Sequence, residues 1–201
     1  MTIELIKDQE HNITKSHPTL KSVDVEIGWE IEAVDNEFGG NRKEEDPYEL
    51  DGSVFLLNSF RRIRSEDDFV FYNHKENEDV SVSLRDRPEG VDKKEILNLR
   101  LSDIAYDVSH LVFSLSIHNA IDRLQNFSRV KNVYIAVKEI DSQSEIIRYA
   151  VDLSDYSDFN AATVAEFYRI GPEWVFKAGG QGYEKALGDV ARDFDVNIRG
   201  E

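Results

Sequence analysis

The stretch VDVEIGWEI, residues 23–31, decides the fold class. It places apolar side chains at every second position and mostly acidic ones between them. The apolar set is Val23, Val25, Ile27, Trp29 and Ile31, and the acids are Asp24, Glu26 and Glu30. Successive side chains of a β-strand point to opposite faces, so this spacing predicts a strand with one buried face.

Similar runs follow along the chain, most of them β-branched or aromatic and bounded by Asp, Asn, Gly or Ser. They are SVFLLNSF, DFVFYN, VSVSL, ILNLRL, HLVFSLSI, VYIAVKEI, EIIRYAVDL and WVFKAG. Only NAIDRLQNF (119–127) and YEKALGDVARDF (183–194) have helical spacing, and neither alternates regularly with strands. The sequence therefore predicts a mainly β protein, a two-sheet β-sandwich with a few short peripheral helices, as one domain over residues 1–201.

Composition excludes several classes of function. The 201 residues contain no cysteine, which excludes disulfides, thiolate zinc sites and a cysteine nucleophile. Forty acids against 24 bases give a net charge of -16, so nucleic acid is not an expected partner. The N-terminus has no signal-peptide pattern, and no run reaches the length of a transmembrane helix, so we expect a cytoplasmic protein.

Motifs for catalysis are missing from the sequence. It contains no HExxH, no GxSxG and no Walker loop. We interpret His118, which follows the run LVFSLSI, as a hydrogen-bonded residue at a strand end. The glycines of AGGQGY, residues 178–183, favour a tight strand-to-helix turn over a phosphate cradle. We therefore expect no enzymatic activity.

Acidic residues cluster instead in three short stretches. GWE supplies Glu30, YELDGS supplies Glu49 and Asp51, and RDRPEGVDKKE supplies four more acids. Nine acids and two bases lie between residues 28 and 51, a local charge of -7. A solvated loop face and a divalent-cation site both explain this density, since calcium takes about six to eight hard oxygen ligands.

The same stretches carry a resemblance to the TerD family of bacterial tellurium-resistance and stress proteins. The motifs are GWE, ELDGSVFLL, DDFVFYNH, SIHNAIDRLQNFSRV, RYAVDLS and, most specifically, EFYRIGPEWVFKAGGQGY. The resemblance implies a two-sheet sandwich and a cytoplasmic, non-enzymatic protein that binds calcium through acidic loops. It also implies a role in resistance to tellurite and related stresses together with other Ter proteins.

The chain departs from this family at residues 85–95, where the resemblance places the principal calcium loop. Asp86 and Glu95 keep family acids, but Arg85 and Arg87 stand where the family has Gly and Asn. Lys93 and Lys94 replace an Asp pair, and ammonium groups at those positions repel calcium. The candidate ligand set is Glu30, Glu49, Asp51, Asp86, Asp92 and Glu95. We predict at most one weak divalent site, centred on Glu30, Glu49 and Asp51, with Asp86 as a further ligand.

The bases of this loop have a second predicted role, which is to pair with acids of the same stretch. The pairs would join Arg85 or Arg87 to Glu89, and Lys93 or Lys94 to Asp92. The function predicted from the resemblance is a stress-response binding or scaffold module with weak or lost calcium binding. A full calcium sensor is the alternative, and a metal-dependent enzyme is a third hypothesis.

Overall fold

The computed structural model describes residues 1–32, 47–87 and 93–196 of the chain. Within these ranges the strands are β1 Ile3–Leu5, β2 Glu10–Asn12, β3 Val23–Ile31, β4 Leu50–Leu57, β5 Phe69–Val70, β6 Val82–Leu84, β7 Lys94–Leu99, β8 His110–Ile117, β9 Val130–Glu139, β10 Glu145–Ala150, β11 Ala161–Ile170, β12 Glu173–Ala178 and β13 Gly182–Tyr183. The α-helices are α1 Ile13–Ser16, α2 Ala120–Arg123 and α3 Ala186–Asp193. None of the described helices is long and apolar enough to cross a membrane.

The strands form two sheets, as predicted. Sheet A has the order β1-β10-β9-β3-β7-β6, and sheet B has the order β2-β12-β11-β8-β4-β5, with β13 added beside β11. Every pairing is antiparallel except that of β1 with β10. The main apolar core lies between the sheets, where β3 contributes fully buried Val23, Val25 and Ile27. The fold is therefore the predicted β-sandwich.

The polar face of β3 differs from the expectation of a half-buried strand. Asp24 and Glu26 are only 3% and 6% exposed. Glu26 accepts hydrogen bonds from Tyr134 at 2.5 Å and from Lys94 and Lys138 at 3.1 Å each. Side chains of the neighbouring strands thus bury this acid on the outer face of sheet A, which alternation along a single strand does not reveal.

The outer face of sheet B carries a second apolar layer. Leu187, Val190 and Phe194 of the α3 region pack on Phe55 and Phe69, whose rings stack with centroids 4.3 Å apart. The helix predicted within residues 183–194 is confirmed over Ala186–Asp193, and its apolar residues cover the sheet, whereas Tyr183 belongs to β13.

The second predicted helix is shorter than its pattern indicates. Helix α2 ends at Arg123, and Leu124 adopts a left-handed conformation with φ 53°. The side chains of Ile121 and Leu124 remain exposed, at 57% and 92%. The apolar spacing of NAIDRLQNF therefore does not mark a helix packed along one face.

Strand β11 was not predicted, although it pairs with β8, β12 and β13. Its first half contains Ala161, Ala162 and Ala165, and alanine is depleted in strands.

The stretch AGGQGY differs from the predicted strand-to-helix turn, because β13 intervenes before α3. The chain bends closely there, since a Cβ added to Gly180 would overlap the carbonyl oxygen of Thr163.

Candidate functional site

The candidate site lies where β4 of sheet B faces β7 of sheet A. Burial alternates along β7, so Glu95 points inward with Leu97 and Leu99. Opposite Glu95 stands Gly52 of β4, where a Cβ would lie 3.0 Å from the Cβ of Glu95. The small residue at position 52 therefore leaves room for a carboxylate between the two sheets.

The side chain of Arg87 enters the space between these strands. Its Nη2 donates to the backbone oxygen of Leu50 at 2.5 Å, to Asp51 Oδ1 at 3.2 Å and to Glu95 Oε1. Its Nε donates to the same Glu95 oxygen at 3.0 Å, and its Cζ lies 5.6 Å from the centre of the Trp29 ring. One guanidinium thus holds two carboxylates that belong to different sheets.

The electrostatics of this pair are set by burial. Burial raises the pKa of Asp51 above 3.8, and the nearby Arg87 and His118 offset this only in part. Burial also raises the pKa of Glu95 above 4.5, against hydrogen bonds and attraction from Arg87. Two carboxylates share one guanidinium, so the site keeps an excess of negative charge.

Three of the other predicted ligands face separate partners. Glu49 lies 3.5 Å from Arg123, and Glu30 is exposed and accepts a hydrogen bond from Asn132 at 2.6 Å. Asp86 is exposed and pairs with Lys75. Asp92, and the acids predicted between residues 33 and 46, lie outside the described residues.

His118 borders the site from the end of β8. Its backbone N–H donates to the carbonyl of Glu49 at 2.8 Å, as expected for a hydrogen-bonded residue at a strand end. Its Nδ1 lies 3.9 Å from Asp51 Oδ2, and its ring packs edge-on against Tyr72.

The described residues show other ion pairs for the bases of residues 85–95, and the predicted pairs stay predictions. Arg85 donates to Asp24 at 2.8 Å and Lys94 to Glu26 at 3.1 Å, so both bind acids of β3. Arg87 pairs within the stretch, but with Glu95, and also with Asp51 of β4. The predicted partners Glu89 and Asp92 are outside the described residues. The bases of this stretch therefore connect it to the sheets.

The geometry can be tested for its fit to calcium. The oxygens of Leu50, Asp51 and Glu95 converge, but they converge on Arg87 Nη2. Over residues 1–32, 47–87 and 93–196, no group of three or more His, Asp or Glu side chains is placed to share a metal ion. With Arg87 in this position the described side chains do not fit a calcium ion, and metal binding by the chain stays a prediction.

The role of Arg87 was missed by reasoning from the sequence, which treated it as a lost ligand or a loop ion pair. The available signal was the equal number of acids and bases in residues 85–96 of a strongly acidic chain. In a stretch that resembles a calcium loop, a base among the acids can neutralise them itself.

A separate cleft lies on the outer face of sheet B, beside the C-terminal end of α3. It has a volume of about 540 Å³ and is lined in part by Gly179–Gln181, Phe60 and Arg61. Arg61 donates to Glu166 at 2.9 Å across this cleft, and the ring of Phe60 is 82% exposed. The glycines of AGGQGY thus shape one wall of a surface cleft.

Comparison with known proteins places the chain among stress proteins. The TerD domain model matches residues 1–194. General stress protein 16U of Bacillus subtilis (strain 168) is 35% identical over 98% of the chain and 100% of that protein. Tellurium resistance protein TerD of Serratia marcescens is 33% identical over 98% of the chain and 99% of that protein. The crystal structure of a TerD homologue from Streptomyces coelicolor A3(2) shares the fold, with a TM-score of 0.63, 20% identity, and coverage of 89% and 99% of the two chains.

Proposed function

The chain belongs to the TerD family, and on that premise we propose that it acts as a non-enzymatic binding or scaffold module in the response to tellurium compounds and related stresses. It works in the cytoplasm, with other Ter proteins as partners and without nucleic acid. The net charge of -16 supports the exclusion of nucleic acid, because such a surface repels phosphate.

The observation that carries the proposal is the engagement of the candidate acids by cations of the chain itself. Asp51 and Glu95 hold Arg87, Glu49 lies beside Arg123, and Asp86 pairs with Lys75. Carboxylates held in this way are poorly placed to coordinate calcium tightly or to move protons in catalysis. Calcium binding by the chain is weak or lost, with at most one site, and partner binding does not depend on it.

The experiment is a capture assay with the whole chain immobilised, using lysate of a bacterium that carries Ter proteins. We expect the same Ter proteins to be recovered in EDTA and in millimolar calcium. Recovery of none of them in either condition contradicts the scaffold proposal. Recovery in calcium alone supports the full calcium sensor instead.

A second arm addresses catalysis. In a strain that lacks this protein, the wild-type chain restores tolerance to tellurite, and so does the isosteric double variant Asp51→Asn/Glu95→Gln. Loss of tolerance in that variant, without any loss of stability in urea unfolding, contradicts a non-enzymatic role and favours an acid-dependent enzyme.

A further inference from the structure

The two sheets meet at Arg87 through oxygens that resemble part of a cation's coordination shell. Glu95 belongs to β7 of sheet A, whereas Leu50 and Asp51 belong to β4 of sheet B. Three of their oxygens lie around the single nitrogen Arg87 Nη2. Hard oxygens that converge from separate strands are what a divalent ion requires, and here they surround a guanidinium.

We infer that Arg87 is a built-in cation, which replaces a divalent ion in linking the two sheets and holds this end of the sandwich closed without metal. This role rests on the proposed function only in taking Asp51 and Glu95 as the candidate site. It adds that Arg87 is what fills the space between Asp51 and Glu95, and that removing its guanidinium opens this space to ions.

Local packing favours this role for an arginine. Gly52 leaves the space that Glu95 fills, and Trp29 covers the guanidinium with its ring face. The arginine fork brings Nε and Nη2 to the same Glu95 oxygen, a geometry that the single ammonium of a lysine cannot reproduce.

The charge balance also fits a replacement. A divalent ion would neutralise both carboxylates, whereas one guanidinium neutralises one of them. Without Arg87, the attraction left to these acids within the described ranges comes from His118 at Asp51 and from Lys75 at Glu95.

The test is terbium luminescence, because Tb³⁺ binds the same hard oxygens as calcium and is sensitised by a nearby tryptophan. Trp29 lies beside Arg87, so an ion in the position of the guanidinium is within reach of energy transfer. We expect the variant Arg87→Asn to give tryptophan-sensitised emission that calcium competes away, and the wild-type chain to give none over the same range. Trp29→Phe in the Arg87→Asn background should abolish the signal.

Thermal unfolding provides the second readout. Arg87→Asn should lower the Tm by roughly 5–10 °C in EDTA, since buried acids lose their partner. Millimolar calcium should return several degrees of that loss. Arg85→Asn is the matched control, because Arg85 lies two positions away and holds Asp24 on the outer face of sheet A; it should gain no response to calcium.

Two outcomes overturn the inference. One is equal terbium binding by the wild-type chain and Arg87→Asn, including no binding by either. The other is a calcium response in Arg85→Asn that matches that of Arg87→Asn. If Arg87→Asn does not fold, calcium titration of the wild-type chain by NMR decides, since shifts at the amides of Asp51 and Glu95 mean that an ion displaces the guanidinium.

Discussion

Two buried acidic sites of this sandwich are neutralised differently. Glu26, on the outer face of sheet A, receives three donors from Tyr134, Lys94 and Lys138. Burial raises the pKa of Glu26, but these hydrogen bonds outweigh it, so the pKa lies below 4.5. Asp51 and Glu95 share one guanidinium, and their pKa values lie above the ordinary ones. At Asp51 and Glu95, burial and the repulsion from a neighbouring acid outweigh the attraction of Arg87.

The two sites also differ in how far each depends on a single cation. The Glu26 carboxylate has donors from three side chains. The backbone makes room for one of them, since a Cβ added to Gly28 would overlap the Tyr134 ring, and glycine therefore lets that ring lie across β3. The Asp51–Glu95 site has one positive charge for two negative ones. It therefore depends on Arg87 more strongly than the Glu26 site depends on any one of its donors.

The largest effect on stability is expected from Arg87→Ala, which removes the cation shared by Asp51 and Glu95. We expect a loss of about 2–4 kcal/mol in the free energy of unfolding, because two buried carboxylates lose their shared cation. Lys138→Ala is the matched control and should cost less than about 1 kcal/mol, since Glu26 keeps Tyr134 and Lys94. Urea unfolding at pH 7 measures both. Equal losses would refute the contrast.

Glu26→Gln tests how much the hydrogen bonds to the Glu26 carboxylate stabilise the folded chain. Hydrogen bonds to a charged group are each worth about 1.5–3 kcal/mol, and the lysines are partly exposed, so we expect a loss of about 1–3 kcal/mol at pH 7. Because the pKa of Glu26 is lowered when the chain folds, its contribution is complete above pH 4.5 and disappears as the pH falls through the folded pKa. Urea unfolding at pH 7 and at pH 4 should show the gap between variant and wild type shrink. A gap that widens at low pH contradicts the assigned direction.

Gly52→Ala tests the packing of the Asp51–Glu95 site, because it moves Glu95 without changing any charge. The added methyl would lie 3.0 Å from the Glu95 Cβ and 3.3 Å from Ile27 Cδ1, so Glu95 must move slightly, which disturbs its contact with Arg87. We expect a loss of about 1–2 kcal/mol, typical of overpacking, measured by urea unfolding. The double variant Gly52→Ala/Arg87→Ala should lose less than the sum of the two single variants, because both act through Glu95. Full additivity would show that Gly52 and Arg87 act independently.

Asp51→Asn is expected to have the smallest effect and the opposite sign. The raised pKa of Asp51 means that its ionised form is disfavoured in the folded chain, so a neutral isostere stabilises by up to about 1 kcal/mol at pH 7. This gain should vanish as the pH falls toward 3.8, where Asp51 takes up a proton. Thermal unfolding from pH 7 to pH 4 follows it. Destabilisation of the Asp51→Asn variant at pH 7 would show that Arg87 outweighs burial.

Much of the fold follows from the sequence, because alternation in β3 and helical spacing in α3 each encode one buried face. Strand β11 cannot be predicted from its own residues, since its alanines do not favour a strand and the segment is extended because it pairs with β8 and β12. The acids of the site were also identifiable, and Asp51 and Glu95 do come together. The guanidinium of Arg87 can join them because β4 and β7 lie close together in two different sheets. A local sequence pattern carries no information about that distance.

Thermal unfolding of the wild-type chain in EDTA, in millimolar calcium and in millimolar magnesium tests the central claim, that Arg87 supplies the cation of this site. An ion that binds only the folded chain raises its stability by about 2.7 kcal/mol at a hundred times its Kd. This role of Arg87 predicts Tm values within about 1 °C of one another in the three conditions, because an ion with a millimolar or weaker Kd adds only a few tenths of a kcal/mol. A calcium-specific rise of several degrees would contradict it, since the ion would then bind tightly despite the guanidinium.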